Sequence, residues 1–340
     1  MKRILFCLLA IFSMTSIFAD QRYKVFDLGT LNMDYADEAV FINDFGDVCI
    51  IRGTSTPKNI TNGNFSGQDL SKSIKESQCY FWNQENGLKY VGNILPIFLN
   101  NLGQIVGYEK VYYWSPQFES INYKTSIFNS QTSERLFLLG DYSNCRLISC
   151  NDNGQVVFHQ GNGLCLWDNN KIKKIDDCNI DFFGYPVTLN NKYELFGTGK
   201  SDYGYQVAKC HPFDLGITYD INPSMKKNFY SVDVNNLGQC IVYWKSATEE
   251  GAFLWPLGRV IPPNSRKIND KGQILTGDTT LIQSNGEVIE INKALDLSHD
   301  HSTPFEKIDY IHDINNNGQM VGRGIVNGKR HAVLISPACH

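Results

Sequence analysis

Leu99-Asn100-Asn101-Leu102-Gly103-Gln104-Ile105-Val106-Gly107 is a turn set between two apolar runs, and its frame, apolar-Asn-(Asn/Asp)-x-Gly-Gln-apolar-apolar, recurs along the chain. The first Asn of each copy is Asn43, Asn100, Asn151, Asn190, Asn235, Asn269 or Asn315, and the glycine three residues on is Gly46, Gly103, Gly154, Gly238, Gly272 or Gly318. The copy at Asn190 has Tyr193 in the glycine position but keeps the frame and ends in Leu195-Phe196-Gly197. An Asn that opens a turn bonds the backbone two residues on, a second Asn or Asp favours the turn, and glycine supplies the positive φ that closes it. Apolar residues on either side then run outward as paired strands. Chance is a poor explanation for seven copies in one frame.

Successive copies lie 34 to 57 residues apart, with a mean of about 45, which matches the roughly 40 to 50 residues of a four-stranded propeller blade. A second motif falls between the turns: Cys79-Tyr80-Phe81-Trp82, Val111-Tyr112-Tyr113-Trp114, Leu164-Cys165-Leu166-Trp167 and Ala252-Phe253-Leu254-Trp255, most of them followed by a polar turn. Each repeat therefore holds about four short strands: one leaving the Asn turn, the aromatic strand, the strand after the polar turn, and the strand entering the next Asn turn. The aromatic stripe reads as packing between neighbouring blades. At the C-terminus the last repeat stops after His331 to Ile335, and Tyr23-Lys24-Val25-Phe26-Asp27-Leu28-Gly29 near the N-terminus looks like the missing strand, with Ala36 to Ile42 leading into the first Asn turn. The predicted fold is all-β: a single β-propeller of seven four-stranded blades, closed by N- and C-terminal strands, with no free sheet edge at the joint.

Composition agrees. With 42% hydrophobic, 12% aromatic and 19% charged residues, the chain is neither disordered nor coiled coil. A net charge of -4, with no Lys/Arg cluster, lacks the footprint that phosphate-backbone binding needs, so no nucleic-acid partner is expected. Lys2-Arg3, the apolar run Ile4 to Phe12 and the small residue Ala19 before Asp20 read as a signal peptide over 1–19, cleaved after Ala19, with the propeller over 20–340. That run is too short for a membrane span, and no transmembrane segment is expected after cleavage. The chain is thus expected to be secreted, or periplasmic and envelope-associated, and monomeric. Nine cysteines remain after Cys7 is removed. An oxidising compartment allows some pairing, but several occupy strand positions where other repeats carry Val, Ile or Tyr, which favours buried thiols acting as small hydrophobes.

These turns and strands resemble the bacterial extracellular HAF-repeat family, whose repeat runs approximately His-Ala-Phe-Leu-Trp, a Gly turn, Leu-Gly, then Ile-Asn-x-x-Gly-Gln-Val-Val-Gly. The stretches that carry the likeness are Gly251 to Trp255, Phe26 to Gly29, Leu99 to Gly107 and Ile314 to Gly322. The eponymous tripeptide is eroded, with His331-Ala332-Val333 its nearest copy. The resemblance implies an exported β-propeller-like protein and carries over no catalytic residue.

Candidate chemistry is sparse. His299-Asp300-His301 is the one close His pair; its spacing could serve a metal, but a solvated loop is the better reading, so no metal or other cofactor is expected. Asp313-Ile314-Asn315-Asn316-Asn317-Gly318 opens like a calcium loop, yet Gly324 stands where the bidentate Glu belongs, so the match reads as a by-product of the repeat. Asn59-Ile60-Thr61 and Asn64-Phe65-Ser66 are sequons that matter only in a eukaryotic source. No nucleophile elbow, Walker loop, HExxH or dinucleotide fingerprint is present, which weighs against an enzyme and leaves the catalytic residues unknown. Unequal insertions at Thr54 to Gln78 and Ser115 to Glu134 point instead to a scaffold that binds a protein or carbohydrate on one ring face. The alternative is a propeller hydrolase or lyase with its site in the central channel, recognisable by converging carboxylates or histidines of perturbed pKa; an apolar or Asn-lined channel favours the scaffold.

Overall fold

The computed structural model describes residues 23–29, 36–53, 77–115, 118–141, 145–161, 163–175, 187–201, 204–210, 228–295 and 305–338. Strand β1 (Tyr23–Asp27) precedes the first complete blade, β2 (Ala36–Ile42), β3 (Val48–Gly53), β4 (Gln78–Asn83) and β5 (Gly87–Gly92). The second is β6 (Ile94–Leu99), β7 (Gln104–Ser115), β8 (Phe118–Asn129) and β9 (Arg135–Asp141); the third is β10 (Cys145–Cys150), β11 (Val156–Gln160), β12 (Gly163–Asp168) and β13 (Lys171–Ile175). A sheet of three follows, β14 (Thr188–Leu189), β15 (Leu195–Ser201) and β16 (Gly204–Cys210). Next come β17 (Asn228–Val234), β18 (Cys240–Lys245), β19 (Glu250–Trp255) and β20 (Arg259–Ile261), then β21 (Ser265–Ile268), β22 (Ile274–Thr276), β23 (Thr280–Ile282) and β24 (Val288–Glu290) with the single-turn helix α1 (Ile291–Ala294). The last blade joins β25 (Lys307–Ile314), β26 (Met320–Val326) and β27 (Lys329–Pro337) to β1.

The fold is a single all-β propeller with six four-stranded blades, not the seven expected. The exception is the sheet β14–β16, whose inner strand has two residues and whose described residues supply no fourth strand. It is built on the one turn copy without glycine, where Tyr193 takes the positive φ (+63°) itself. Closure follows the expected pairing: β1 lies antiparallel to β27 from Tyr23↔Pro337 to Asp27↔Val333. The phase of the repeat differs from expectation. The strand entering each Asn turn is the innermost strand of the same blade as the strand leaving it, so the turn is the inner hairpin of a blade.

Sheets stacked face to face bury both sides of their middle strands, so these read as unbroken apolar runs rather than alternating ones. Val48-Cys49-Ile50-Ile51, Val156-Val157-Phe158 and Cys240-Ile241-Val242 are all buried. The aromatic strands pack between sheets as expected: Trp167 lies 5.5 Å from Phe137 of the second blade, and Trp255 meets Phe196 of the three-stranded sheet edge-on at 5.9 Å. Among the described cysteines, Cys49, Cys79, Cys145, Cys150, Cys165 and Cys240 are free thiols, and all but the half-buried Cys150 are buried. Ser115 to Glu134 is not a loop insertion: β8 fills most of it, in a long hairpin with β7. The expected signal segment 1–19, residues 54–76 with both sequons, and His299 and His301 lie outside the described residues.

Candidate functional site: the ring axis and its charged seam

Each Asn turn is built the same way. In the copy at Asn235, the side-chain oxygen accepts from the backbone N–H of Leu237 (3.1 Å) and Gln239 (2.9 Å), and its amide nitrogen donates to Gln239 Oε1 (2.7 Å). The glutamine is therefore part of the turn, a role the sequence reading missed. Only an acceptor oxygen is needed there, which is why Asp47 and Glu194 replace it in two copies.

The same amide nitrogen also donates to the backbone carbonyl of the next turn's Asn. Asn43 reaches Asn100, Asn100 reaches Asn151, and so on through Asn190, Asn235, Asn269 and Asn315, which returns to Asn43 at 2.9 Å. Seven such bonds close a circle around the axis. A second circle runs through the following residue: the N–H of Asp44 donates to Asn101 Oδ1, then Asn101 to Asp152, Asp152 to Asn191, Asn191 to Asn236, Asn236 to Asp270, Asp270 to Asn316 and Asn316 to Asp44. Side-chain amides of Asn101 and Asn316 both reach Asp44 Oδ2, so this carboxylate sits between two amides. Burial raises the Asp152 carboxyl above its usual range, and the charges of Asp44 and Asp270 add to this.

Inside the turns lies a cavity of about 230 Å³ whose lining includes Arg146, Asp233, Lys267 and Asp313. Six inner strands carry a bulge in the same place, between the fourth and second residues before the turn Asn. The residue after the bulge can reach the next sheet. Ser149 Oγ accepts from Leu189 N (2.9 Å), Asp233 Oδ2 from Ile268 N (2.9 Å) and Asp313 Oδ2 from Ile42 N (3.2 Å). Lys267 holds the equivalent position, its Nζ 3.8 Å from Asp313 Oδ1. Burial pushes both carboxyls up, against the pull of Lys267. Burial works to lower Lys267, but the two carboxylates outweigh it and hold the ammonium charged. The calcium-loop match at Asp313 is thus a sheet-to-sheet linker beside a lysine, and no group of three or more His, Cys, Asp or Glu among the described residues is placed to hold a metal ion.

A second polar cluster crosses the joint between the last blade and the first, further from the turns. Glu38, almost fully buried, receives Arg323 at 2.5 Å and His312 Nε2 at 3.1 Å, and Arg323 also bonds Asp309 at 2.7 Å. The Tyr310 ring lies 4.6 Å from the Arg266 guanidinium and 5.6 Å from that of Arg323. Arg266 donates to the carbonyls of Gly277 and Ile311, and burial lowers its pKa. The sequence reading singles out none of the residues of this second cluster; single charged residues scattered over 285 positions leave no local pattern.

No protein-family model matches the chain, and no curated protein matches it. Among solved structures, the β-propeller domain of the Trilobed protease from Pyrococcus furiosus is similar at 10% identity, covering 88% of this chain and 95% of that one, with a TM-score of 0.54. A catalytically inactive virginiamycin B lyase from Staphylococcus aureus aligns at 12% identity over 93% and 100% (TM-score 0.47), and the Pyrococcus horikoshii acylaminoacyl peptidase at 10% over 88% and 58% (TM-score 0.49). These neighbours differ in function, and the likeness is one of fold alone. No helix among the described residues is long and apolar enough to cross a membrane.

Proposed function

We propose that this chain is an exported scaffold of the HAF-repeat type that binds a protein or carbohydrate partner at the end of the ring opposite the Asn turns. One observation carries the reading. In an antiparallel blade the first and third connections share one end, and the second connection and the link to the next blade share the other. The Asn turns and short links such as Asn83–Gly87 occupy the first end, whereas the strands flanking 54–76, 176–186 and 296–304 break off at the second; of those flanking 211–227, β16 ends at the first end, with Cys210 opposite Leu195, and β17 begins at the second. The β7–β8 hairpin extends from that same end. Regular turns at one end and long, unequal segments at the other suit a rigid base with a variable binding face. The Asn residues of the mouth also support a scaffold, since their side chains are spent on one another, whereas the cavity carboxylates Asp233 and Asp313 are the feature an enzyme would show.

The export reading rests on residues 1–19, and mass analysis of chain recovered from medium or periplasm is expected to find Asp20 at its start. Capture of partners from envelope extracts and a glycan array test the binding face. Deletion of residues 56–76 is expected to spare folding and weaken capture at least tenfold, while Phe45→Ser and Leu237→Ser on the turn end leave it unchanged; the reverse pattern refutes the assignment. The enzyme alternative draws on Asp233 and Asp313 in the axial cavity. It requires turnover that both Asp→Asn variants abolish without loss of fold.

A further inference from the structure

Two cysteines flank the longest segment of the first blade, Cys49 in β3 before residues 54–76 and Cys79 in β4 after them. The strands are hydrogen-bonded neighbours in which Cys49 lies opposite Phe81 and Cys79 opposite Ile51, so the two cysteines share one face on a diagonal of the ladder. Their sulfurs are 3.4 Å apart, and neither residue reaches solvent. The Cys79 sulfur also faces the Tyr80 carbonyl at 3.9 Å, as those of Cys150 and Cys240 face the carbonyls of Asn151 and Ile241, but only Cys49 and Cys79 among these have another sulfur as a contact. A bonded pair needs a separation near 2.05 Å, so joining Cys49 to Cys79 closes roughly 1.4 Å between the two sulfurs.

We propose that Cys49 and Cys79 become a disulfide as the exported chain folds, a staple across β3 and β4 at the base of the 54–76 segment. The inference rests on the export reading only for its oxidant, a disulfide donor of the glutathione or thiol-oxidoreductase class. One cysteine thiolate attacks a donor sulfur and releases the first donor thiol; the second cysteine thiolate then displaces the mixed disulfide and releases the other. The two cysteines lose two electrons and two protons, and the donor disulfide takes them up as two thiols. Exchange needs a thiolate and access to it. In the finished blade the Cys49 thiol is fully enclosed and burial holds its pKa well above the usual range, so the bond forms before β3 and β4 are covered. The closed loop joins positions 30 apart and restricts the unfolded chain rather than the blade itself.

The test begins with residues 20–340, unfolded and refolded in reduced and oxidised glutathione, then mapped by non-reducing peptide mass analysis. A Cys49–Cys79 linked peptide is expected, which reduction splits into two with a gain of about 2 Da. Folded, fully reduced protein given the same donor is expected to stay unlinked, and protein refolded under reducing conditions or carrying Cys79→Ser to melt several degrees lower. If both thiols of the glutathione-refolded chain are alkylated on denaturation, or pair elsewhere, the staple is refuted; this map needs no variant to fold. A parallel bacterial expression with and without residues 1–19 separates the two readings. The leader-bearing form is expected to be exported with the bond formed, whereas its retention in the cytoplasm refutes export and leaves the refolding map to decide the staple.

Discussion

Replacing Asn235 with Ala and with Asp separates what the turn does for its own hairpin from what it does for the ring. The Asn235 side chain is 3% exposed and makes four hydrogen bonds: two accepted from its own turn, one donated to Gln239 and one to the carbonyl of Asn269. At about 1 kcal/mol net for each bond, Asn235→Ala costs about 4 kcal/mol. With unfolding entropy of about 2.1 cal/mol/K per residue, the melting temperature falls by roughly 6 °C for a chain of this length. Asn235→Asp keeps both accepted bonds, loses both donated ones and turns a carboxylate oxygen toward the Asn269 carbonyl, so it costs at least about 2 kcal/mol, or roughly 3 °C. Asn285→Ala is the control: that Asn sits in an exposed turn and accepts one bond, from Glu287 N, for an expected cost of about 0.5 kcal/mol. Differential scanning calorimetry of the mature chain reads all three. The reasoning fails if Asn235→Asp melts with the wild type, or if Asn235→Ala falls no further than Asn285→Ala.

Removing residues 330–340 deletes most of β27 and strips β1 of its five paired positions; light scattering is expected to show aggregation, and a soluble monomer with unchanged melting refutes ring closure by this joint. Gly322 and Gly107 lie opposite bulges of the neighbouring inner strand, where an added Cβ would run into the carbonyls of Tyr310 and Leu95. Gly322→Ala is therefore expected to lose about 2–3 kcal/mol in urea titration. The Asp233 carboxyl is raised above 3.8, so it binds its proton more tightly folded than unfolded. Its share of stability is present below pH 3.8 and is lost as the pH climbs past that raised value, and Asp233→Asn, which keeps an acceptor for Ile268 N, is expected to flatten the stability profile over that interval. The Cys145 and Cys150 thiols are pushed up to about 12 by burial, leaving about one part in 10⁴ as thiolate at pH 8; iodoacetamide is expected to label them only on unfolding.

The hairpins, the closing strand and the packing of the aromatic strands were legible because each leaves a local pattern: an Asn-x-x-Gly turn, an orphan strand at Tyr23, a Trp at the end of an apolar run. What was not legible depends on contacts between repeats. Nothing near Asn43 signals that its amide meets the carbonyl of Asn100, 57 residues on, or that the carbonyl of Asn43 receives Asn315 across 272 residues. Glu38 and Arg323 likewise become partners only once the ring closes. The blade's phase was misread because turn-to-turn spacing fixes a period and not its origin. Ser115 to Glu134 looked like an insertion because apolar alternation is weak there, with Glu119, Asn122 and Lys124 interrupting a strand that pairing with β7 nevertheless sustains.

The second circle, through the residue after each turn Asn, has a parity. In order it reads Asp44, Asn101, Asp152, Asn191, Asn236, Asp270, Asn316, so acids and amides alternate and no two carboxylates are neighbours. On a ring with an odd number of places, strict alternation cannot close, just as opposed spins cannot all be satisfied on an odd cycle. One like pair must appear somewhere. It falls at Asn191 and Asn236, where the N–H of the first still finds the amide oxygen of the second at 2.8 Å, while two adjacent carboxylates would repel. Sequence change at these seven places is consequently collective: converting Asn191 or Asn236 to Asp sets an acid against one acidic neighbour, Asp152 or Asp270, whereas the same change at Asn101 or Asn316 sets it between two.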